Sequence, residues 1–260
     1  MTRKVIIDAG HGGVEPGAVY NGRKEKDDTL QLAFDLGNAL ERRGIEVEYT
    51  RVNDVYDSPY EKAAIANRSD ADFFISIHRN AMPVPGTASG IESLVFSGTG
   101  TGAKLAENID EELAQVGWAD LGVMERPGLV VLRKTRMPAV LVEVGFIDNP
   151  QDNAFFDANL AATADAIANG IVKTFEQEQS VPSATQKGFY RVQVGVFRRK
   201  EYADLLLEEL EQQGFSGFKE KQGDLYYVYS GAFRELNNAI ERQRQLQKLG
   251  YNTLLVRSGT

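Results

Sequence analysis

Residues 4–13 read KVIIDAGHGG, an apolar run that ends in a glycine-rich loop carrying a histidine. The same design returns at residues 73–81, FFISIHRNA, and at residues 139–146, AVLVEVGF, where a histidine and a glutamate follow the apolar run. Such runs are typical of strands buried in an α/β sheet. In these sheets, functional groups collect in the loops just past the strand ends. The three segments therefore predict the fold class and the edge of the sheet that carries function.

Strands and helices alternate along residues 1–175, which is the pattern of an α/β layered sheet with flanking helices. The predicted strands are Lys4–Asp8, Glu46–Arg51, Phe73–His78, Ile91–Phe96, Leu129–Leu132 and Ala139–Val144. The predicted helices are Asp27–Arg43, Tyr60–Asn67, Gly102–Val116 and Leu160–Phe175.

The composition is that of a folded globular protein: 260 residues with 37 acidic and 29 basic side chains, 42% apolar residues and no cysteine. Collagen-like, disordered and disulfide-stapled proteins are excluded. No run approaches the roughly 18 apolar residues that a membrane helix needs. Without cysteine, a metal site must use histidine and carboxylate, and the chain has only two histidines.

A polar run at residues 176–188 has almost no apolar periodicity and predicts a linker. Charge divides there: residues 1–178 hold 17 basic and 28 acidic side chains, net −11, whereas residues 179–260 hold 12 and 9, net +3. The two parts should therefore meet different environments. We expect a first domain over residues 1–175 and a second over residues 189–260.

An internal repeat with a period of 36 residues follows the linker. Each copy has an alternating strand, a helix that ends at a glycine, and a short strand. The long strands are Tyr190–Val196 and Tyr226–Ala232, and the helices are Tyr202–Gln213 and Leu236–Leu249. The two copies predict a small α+β domain of βαββαβ order, with a four-stranded antiparallel sheet and both helices on one face.

Side-chain alternation assigns the two faces of that sheet. If the valines at 192, 194 and 228 point at the helices, the residues that point away are Arg191, Gln193, Tyr227 and Tyr229. Two tyrosines beside a glutamine and an arginine suit a sugar ring, whose apolar face stacks on aromatics while its hydroxyls bind polar groups. An ordinary solvated sheet face is the alternative.

Residues 189–257 resemble the SPOR domain, a module that binds septal peptidoglycan. The matching stretches are YRVQVGVF at 190–197 and GAF at 231–233. The resemblance implies that the ligand of this domain is glycan strand stripped of stem peptides.

Three interpretations compete for the glycine-rich loop at residues 10–13. A phosphate cradle needs a Gly-x-Gly-x-x-Gly spacing or a P-loop lysine, and neither is present, which disfavours nucleotide binding. A tight turn without function is the second interpretation. The third is a metal site in which His11 joins His78 and Glu25, the carboxylate just before a predicted helix. Two imidazoles and one carboxylate form a three-ligand zinc site with an open position for water.

Glu143 places a charge inside the last apolar strand of the first domain. A buried, unpaired carboxylate is costly, so this residue should have a partner or a chemical role. A salt bridge to Arg79 or Arg133 is the structural alternative to a role in chemistry.

Residues 3–175 resemble the zinc-dependent N-acetylmuramoyl-L-alanine amidases of the amidase type 3 family. Five blocks match in family order: IIDAGHGG at 6–13, KEKD at 24–27, AN at 66–67, FISIHRNA at 74–81 and MPAVLVEVGFI at 137–147. The resemblance implies that His11, Glu25 and His78 bind one Zn²⁺ per catalytic domain. It also implies that Glu143 is the catalytic carboxylate.

Two positions depart from the family pattern. Thr29 stands where the family usually has asparagine, and Lys62 stands where arginine is common. Neither position carries the chemistry, so the departures bear on local packing and substrate fit.

The family resemblance implies hydrolysis of the amide that joins the lactyl group of N-acetylmuramic acid to L-alanine of the stem peptide. Zinc would lower the pKa of a bound water to about 7 and polarise the carbonyl. Glu143 would accept the water proton and deliver it to the departing amine, and Asn80 or Arg133 would contact the substrate. The alternatives are a non-catalytic peptidoglycan-binding protein and a zinc peptidase that cuts within the stem peptide.

Together the two resemblances indicate a bacterial autolysin or a phage lysin that meets peptidoglycan at both domains. We expect a monomer that binds no nucleic acid and inserts into no membrane. The chain opens MTRKVIID and reaches an acidic residue too soon for a signal peptide. We therefore expect synthesis in the cytoplasm and release to the wall by lysis of a mother cell or of a phage-infected cell. A trimmed leader is the alternative.

Overall fold

A six-stranded sheet organises the first of two units, Met1–Ser180, and a second unit spans Val181–Thr260. The structure, a computed structural model, describes residues 3–180 and 189–257. In these ranges no helix combines the length and the apolar composition that crossing a membrane requires.

The elements of the first unit follow one another as strand and helix, which confirms the predicted α/β fold class. In chain order they are β1 (Lys4–Ala9), β2 (Val19–Tyr20), β3 (Arg23–Lys24), α1 (Glu25–Glu41), β4 (Glu46–Tyr49), α2 (Pro59–Ala66), β5 (Phe73–Asn80), β6 (Ile91–Val95), α3 (Thr101–Val116), β7 (Asp120–Glu125), α4 (Val130–Lys134), β8 (Ala139–Phe146) and α5 (Pro150–Ser180).

The strand order of the large sheet is β4-β1-β5-β8-β6-β7. The first four strands in that order pair in parallel, whereas β6 is antiparallel to β8 and β7 is parallel to β6. The carboxyl ends of β1 and β5 are neighbours, since Asp8 pairs with Ser76 and Ala9 with Ile77. This register brings the loop that follows β1 beside the end of β5.

Helices cover the two faces of this sheet unequally. On one face Val5 and Ile75 belong to a large core that includes residues of α1, α3 and α5. On the other face Ile6 and Phe74 belong to a smaller core with residues of α2 and α4. Farther along the strands, alternation places the polar side chains of Asp8, His78, Glu92 and Glu143 on this second face. The sheet therefore has one mainly apolar face and one face that is apolar at one end and ionisable at the other.

Several segments differ from the sequence predictions. Residues 129–132, predicted as a strand, lead into helix α4, whose Val131 and Leu132 are buried in the smaller core. An apolar run of four residues is too short for its period to separate a strand from a helix. Strand β7 is additional to the predicted strands, and as an edge strand it leaves most side chains exposed.

The last helix of the first unit is longer than predicted. It runs from Pro150 to Ser180 and contains a non-helical residue, Asn159, at φ −122°. The predicted linker at residues 176–188 stays a prediction, because residues 176–180 continue this helix and residues 181–188 lie outside the described residues.

The second unit has the predicted βαββαβ order. Its elements are β9 (Tyr190–Phe197), α6 (Lys200–Gln212), β10 (Phe218–Gln222), β11 (Leu225–Phe233), α7 (Leu236–Lys248) and β12 (Leu254–Arg257). The sheet is antiparallel throughout, in the order β10-β11-β9-β12. Both helices pack on one face, where Val192 and Val228 meet Leu210 and Leu246 in a single core.

Candidate functional site

His11, Glu25 and His78, the three predicted metal ligands, converge from three parts of the first unit. His11 lies in the loop after β1, Glu25 is the first residue of α1, and His78 lies in β5. One ligand atom of each lies within 4.8 Å of the others. Glu25 bridges the imidazoles: its Oε2 is 2.9 Å from Nε2 of His11, and its Oε1 is 3.0 Å from Nδ1 of His78. The fold thus assembles one compact cluster of nitrogen and oxygen donors.

Two glycines leave the space in which this cluster forms. A Cβ on Gly10 would lie 2.5 Å from Cε1 of His78, and a Cβ on Gly17 would lie 2.5 Å from both Oε2 of Glu25 and Cδ2 of His11. His11 itself has a positive φ of 61°, a conformation that is uncommon for residues other than glycine and often marks functional sites. Only a glycine-rich loop can fold this closely around the three ligands.

Buried polar side chains fix the loop that carries His11. Arg51 donates from Nε to the carbonyl of Ala9 at 3.0 Å. Lys62 donates to the same carbonyl at 2.6 Å and pairs with Asp8 at 2.8 Å. Thr29 donates from Oγ1 to the carbonyl of Gly10 at 2.8 Å. Thr29 and Lys62, the two departures from the family pattern, therefore both act in the local packing of this loop.

Glu15 is a site residue that the sequence reasoning missed. Its carboxylate contacts Nδ1 of His11, and its Oε1 accepts from the backbone N–H of Gly17 at 3.0 Å. A carboxylate on the second imidazole nitrogen fixes the ring orientation and tautomer of a metal-binding histidine. The only signal in the sequence is an acidic residue four positions after His11 in a loop, which is too common to single out.

The charges of the cluster favour a bound cation. Burial by itself would raise the pKa of Glu25, but hydrogen bonds from His11 and His78 hold it well below its usual range. Burial lowers the pKa of His11, yet Glu25 and Glu15 outweigh that effect and raise it. Glu25 therefore stays ionised at the centre of the cluster. Two imidazoles and one carboxylate match the donor set of three-ligand zinc sites, so the residues present fit that metal.

Glu143 lies next to this cluster in the sheet. It is the register partner of His78 on β5 and of Glu92 on β6. Its Oε2 is buried and has no hydrogen-bond partner among the described residues. Burial raises the pKa of Glu143 to about 7, which is the range in which a carboxyl group can both accept and donate a proton at neutral pH.

The salt-bridge alternative for Glu143 does not occur among the described residues. Arg79 pairs instead with Asp28, at 2.5 Å. Arg133 is exposed on α4, and within residues 3–180 and 189–257 its side chain has no assigned hydrogen bond or ion pair. Glu143 is therefore a half-buried carboxylate with no arginine or lysine partner among the described residues.

Asn80, predicted to contact substrate, ends β5 and donates from Nδ2 to Glu92 at 2.6 Å. Glu92 was not singled out by the sequence, although alternation on β6 puts it on the same face as Glu143. The Asn80 amide is thus engaged with a carboxylate beside the cluster. The structure leaves Asn80 and Arg133 as predictions for substrate contact.

On the second unit, the four residues predicted to point away from the helices share one sheet face. Tyr229 is the register partner of Gln193, and its ring stacks on Tyr227 with centroids 6.5 Å apart. The Arg191 guanidinium lies over Tyr229 at 5.4 Å and pairs with Glu220 at 2.6 Å. Tyr229 itself is only 3% exposed. It therefore supports its neighbours, while Tyr227 offers the accessible ring.

Two family profiles match the chain. The one described as N-acetylmuramoyl-L-alanine amidase matches residues 5–173, and the SPOR domain profile matches residues 186–257. A sporulation-specific N-acetylmuramoyl-L-alanine amidase of Bacillus subtilis (strain 168) is 37% identical over 219 residues, covering 82% of each protein. An endolysin of Bacillus phage SPP1 is 36% identical over 198 residues, covering 72% of each.

The first unit is also similar to solved structures. The crystal structure of N-acetylmuramoyl-L-alanine amidase from Clostridium difficile 630 aligns with a TM-score of 0.65 at 34% identity, covering 68% of this chain and 98% of that chain. The catalytic domain of CwlV from Bacillus (Paenibacillus) polymyxa aligns with a TM-score of 0.62 at 30% identity, covering 67% and 99%.

Proposed function

The chain belongs to the N-acetylmuramoyl-L-alanine amidase family, and we propose that it carries out this reaction with a zinc ion held by His11, Glu25 and His78. It hydrolyses the amide bond between N-acetylmuramic acid and L-alanine of the stem peptide in bacterial peptidoglycan. The observation that carries the metal proposal is the convergence of three ligand atoms within 4.8 Å. The alternatives, a non-catalytic wall-binding protein and a peptidase, are not favoured by the family match.

Zinc, when bound, supplies a Lewis acid that acidifies water and polarises the scissile carbonyl. The protein supplies the geometry. Glu15 orients the His11 ring, and Arg51 and Lys62 hold the loop that carries it. Both cationic side chains donate hydrogen bonds to backbone carbonyls of one short loop. They therefore resist small displacements of His11.

Glu143 is the proposed proton carrier of the reaction. Its position beside His78 in the sheet puts its unpartnered carboxylate next to the ligand cluster. It would take a proton from the attacking water and deliver that proton to the departing amine of L-alanine. Asn80 and Arg133 are proposed to contact the substrate around it.

The proposal is tested by digesting purified peptidoglycan and analysing the products by mass spectrometry. We expect soluble stem peptides with a free L-alanine amino group. His11→Ala and His78→Ala should each abolish both zinc retention, measured by elemental analysis, and peptide release. Arg43→Ala, which lies past the far end of α1, is the matched control and should retain both. Stoichiometric zinc in either histidine variant would refute the ligand assignment, and products cut inside the stem peptide would indicate a peptidase.

We propose that the second domain keeps the enzyme bound to peptidoglycan. We propose that residues 189–260 bind glycan strands through the face that carries Arg191, Gln193, Tyr227 and Tyr229, with the buried Tyr229 supporting the other three side chains. Residues 176–188 are proposed to join this domain to the catalytic domain, residues 1–175. The SPOR match supports peptidoglycan as the ligand. Tethering raises the local concentration of substrate amides without any new contact at the catalytic site.

We further propose that the enzyme reaches the wall when a mother cell or a phage-infected cell lyses. The names of the relatives support this route, since one is a sporulation-specific amidase and another an endolysin. Fractionation of growing cells that express the chain fused to a reporter tests it. Release of the fusion from intact cells would contradict this proposal.

A further inference from the structure

Arg79 directly follows His78 in β5, and its side chain points to the opposite, helix-covered face of the sheet. The side chain is fully buried. Its Nη1 donates to Asp28 on α1 at 2.5 Å, and its Nη2 donates to Asn153 on α5 at 2.7 Å. The guanidinium also lies over the ring of Phe156, 4.2 Å from its centroid. Arg79 thus joins β5 to both helices behind the cluster.

The backbone of Arg79 makes a second connection, to a metal ligand. Its N–H donates to Oε1 of Glu25 at 2.9 Å, the same oxygen that lies 3.0 Å from Nδ1 of His78. Asp28 lies three residues after Glu25, so both carboxylates face the same side of the first turn of α1. Arg79 is therefore bound to that turn twice, once through its backbone and once through its side chain.

We propose that Arg79 is a positioning residue for the metal site, holding β5 against the first turn of α1 so that His78 and Glu25 stay at ligand distance. The inference rests on the proposed function, because it takes these residues as the zinc ligands. Arg79 touches neither substrate nor metal and acts through its neighbour in the chain. Partners behind metal ligands typically change metal affinity by about 10- to 100-fold when they are altered.

The direction of the change in zinc affinity distinguishes a positioning role of Arg79 from an effect of its charge. Arg79 carries a positive charge near a site for a cation, so by electrostatics alone its removal would strengthen zinc binding. Positioning requires the reverse, a weakening. Asp28 would keep Arg23 as a partner at 2.7 Å after the change, so the carboxylate is not left unpaired.

The chain offers a matched control in Arg43. This residue also joins α1 to α5, donating to Asp165 at 2.9 Å and to Asn169 at 2.8 Å, but it lies past the far end of α1 from Glu25. It bonds the same two types of side chain, a carboxylate and an amide, without a metal ligand beside it, although Arg43 is exposed and Arg79 is buried. A purely structural role predicts that both arginines affect folding stability and neither affects the metal.

The experiment uses the full chain with Arg79→Lys, Arg79→Met and Arg43→Met. Zinc affinity is measured by competition with a chelator, the ligand field by the visible spectrum of the Co²⁺-substituted protein, and folding by the Tm of the metal-free protein. We expect Arg79→Met to bind zinc about 100-fold more weakly and Arg79→Lys about 10-fold more weakly, both with altered Co²⁺ spectra. Arg43→Met should lower Tm while leaving zinc affinity and spectrum unchanged.

Should Arg79→Met fail to fold, Arg79→Lys carries the test, because it retains the charge and most of the stem. Wild-type zinc affinity and spectrum in the folded Arg79 variants would overturn the inference, as would tighter binding. A wild-type chain that binds no zinc would overturn the proposed metal site as well, and that result is distinguishable because it precedes any substitution.

Discussion

Each of the two sheets of this protein has one face packed against helices along its length, and the two sheets carry different side chains on the less covered face. In the first unit the second face carries ionisable groups, His78, Glu92 and Glu143, at one end of the strands. In the second unit it carries aromatic rings and one guanidinium, with Tyr227 and Tyr229 stacked and Arg191 above. A reaction needs groups that change protonation and hold a metal, whereas recognition of a sugar chain needs flat area. In both units, the alternation of side chains along the strands determines which groups this face of the sheet presents.

The two faces also differ in how their polar side chains are paired. Glu143 is half-buried, and its buried Oε2 has no hydrogen-bond partner among the described residues; a group left in that state typically costs about 1–3 kcal/mol. On the other sheet Arg191 has Glu220 as an ionic partner and two rings beneath it. Among the described residues each face thus holds a buried polar atom without a hydrogen-bond partner, Oε2 of Glu143 and Nε of Arg191, but only Arg191 also has an ion-pair partner.

The largest effect should come from Glu143→Gln. Removing the proton carrier should slow hydrolysis of a soluble muropeptide by about 1,000-fold, within the range for general acid–base groups, while zinc content stays at one equivalent. Turnover assays with elemental analysis of the same samples provide the check. Loss of the metal in this variant would mean that Glu143 and Glu25 have exchanged roles, and the proposed division between proton transfer and ligation would fail.

A smaller effect is expected on the binding face. Tyr227→Ala should weaken binding to glycan strands without stem peptides by about tenfold, the loss of roughly one aromatic contact. Its turnover of a soluble muropeptide should equal that of wild type. Tyr202→Ala, an equally large change at a 50% exposed tyrosine on α6, is the control and should bind normally. Equal losses in both variants, measured by co-sedimentation, would contradict the assignment of this face.

The smallest effect concerns stability and pH. The unfolded chain releases the Glu143 proton near pH 4, whereas burial raises the pKa of the folded state to about 7. Between these values the folded state holds more protons, so stability falls as pH rises. Glu143→Gln removes this loss of stability at high pH, because glutamine does not ionise. In the metal-free protein its Tm should match wild type at pH 4 and exceed it at pH 8, by roughly 2–4 °C for each kcal/mol.

Calorimetry at the two pH values tests this, and Asp110 supplies a matched variant. Burial raises the pKa of Asp110 to about 7 as well, and it lies on α3 away from the cluster. Asp110→Asn should show the same pH pattern without slowing hydrolysis. Equal Tm values for wild type and Glu143→Gln at pH 8 would contradict the raised pKa of Glu143 in the folded state.

Much of the fold and the centre of the site could be predicted because both depend on local pattern. Apolar runs ended by polar loops predicted the strand that precedes His11 and the strands that contain His78 and Glu143. The 36-residue repeat gave the second sheet. What the sequence could not reveal depends on contacts between distant segments. Glu15 matters only because the loop folds back onto His11, and Arg79 only because α1 places Asp28 beside it. Residues 129–132 were wrongly predicted as a strand because a four-residue apolar run fits either a strand or a helix, and β7 was not predicted because most of its side chains are exposed.

The repeat of the second unit keeps one set of residues and changes another. Two positions that face the helices are the same in both copies, Tyr190 with Tyr226 and Val192 with Val228, whereas Val194 corresponds to Ser230. On the opposite face the two copies differ: Arg191 corresponds to Tyr227, and Gln193 corresponds to Tyr229. A frame with near two-fold symmetry thus carries an unsymmetrical surface. The copy that begins at Tyr190 contributes the cation of this face and the copy that begins at Tyr226 contributes its two stacked rings, so neither copy alone could form the surface.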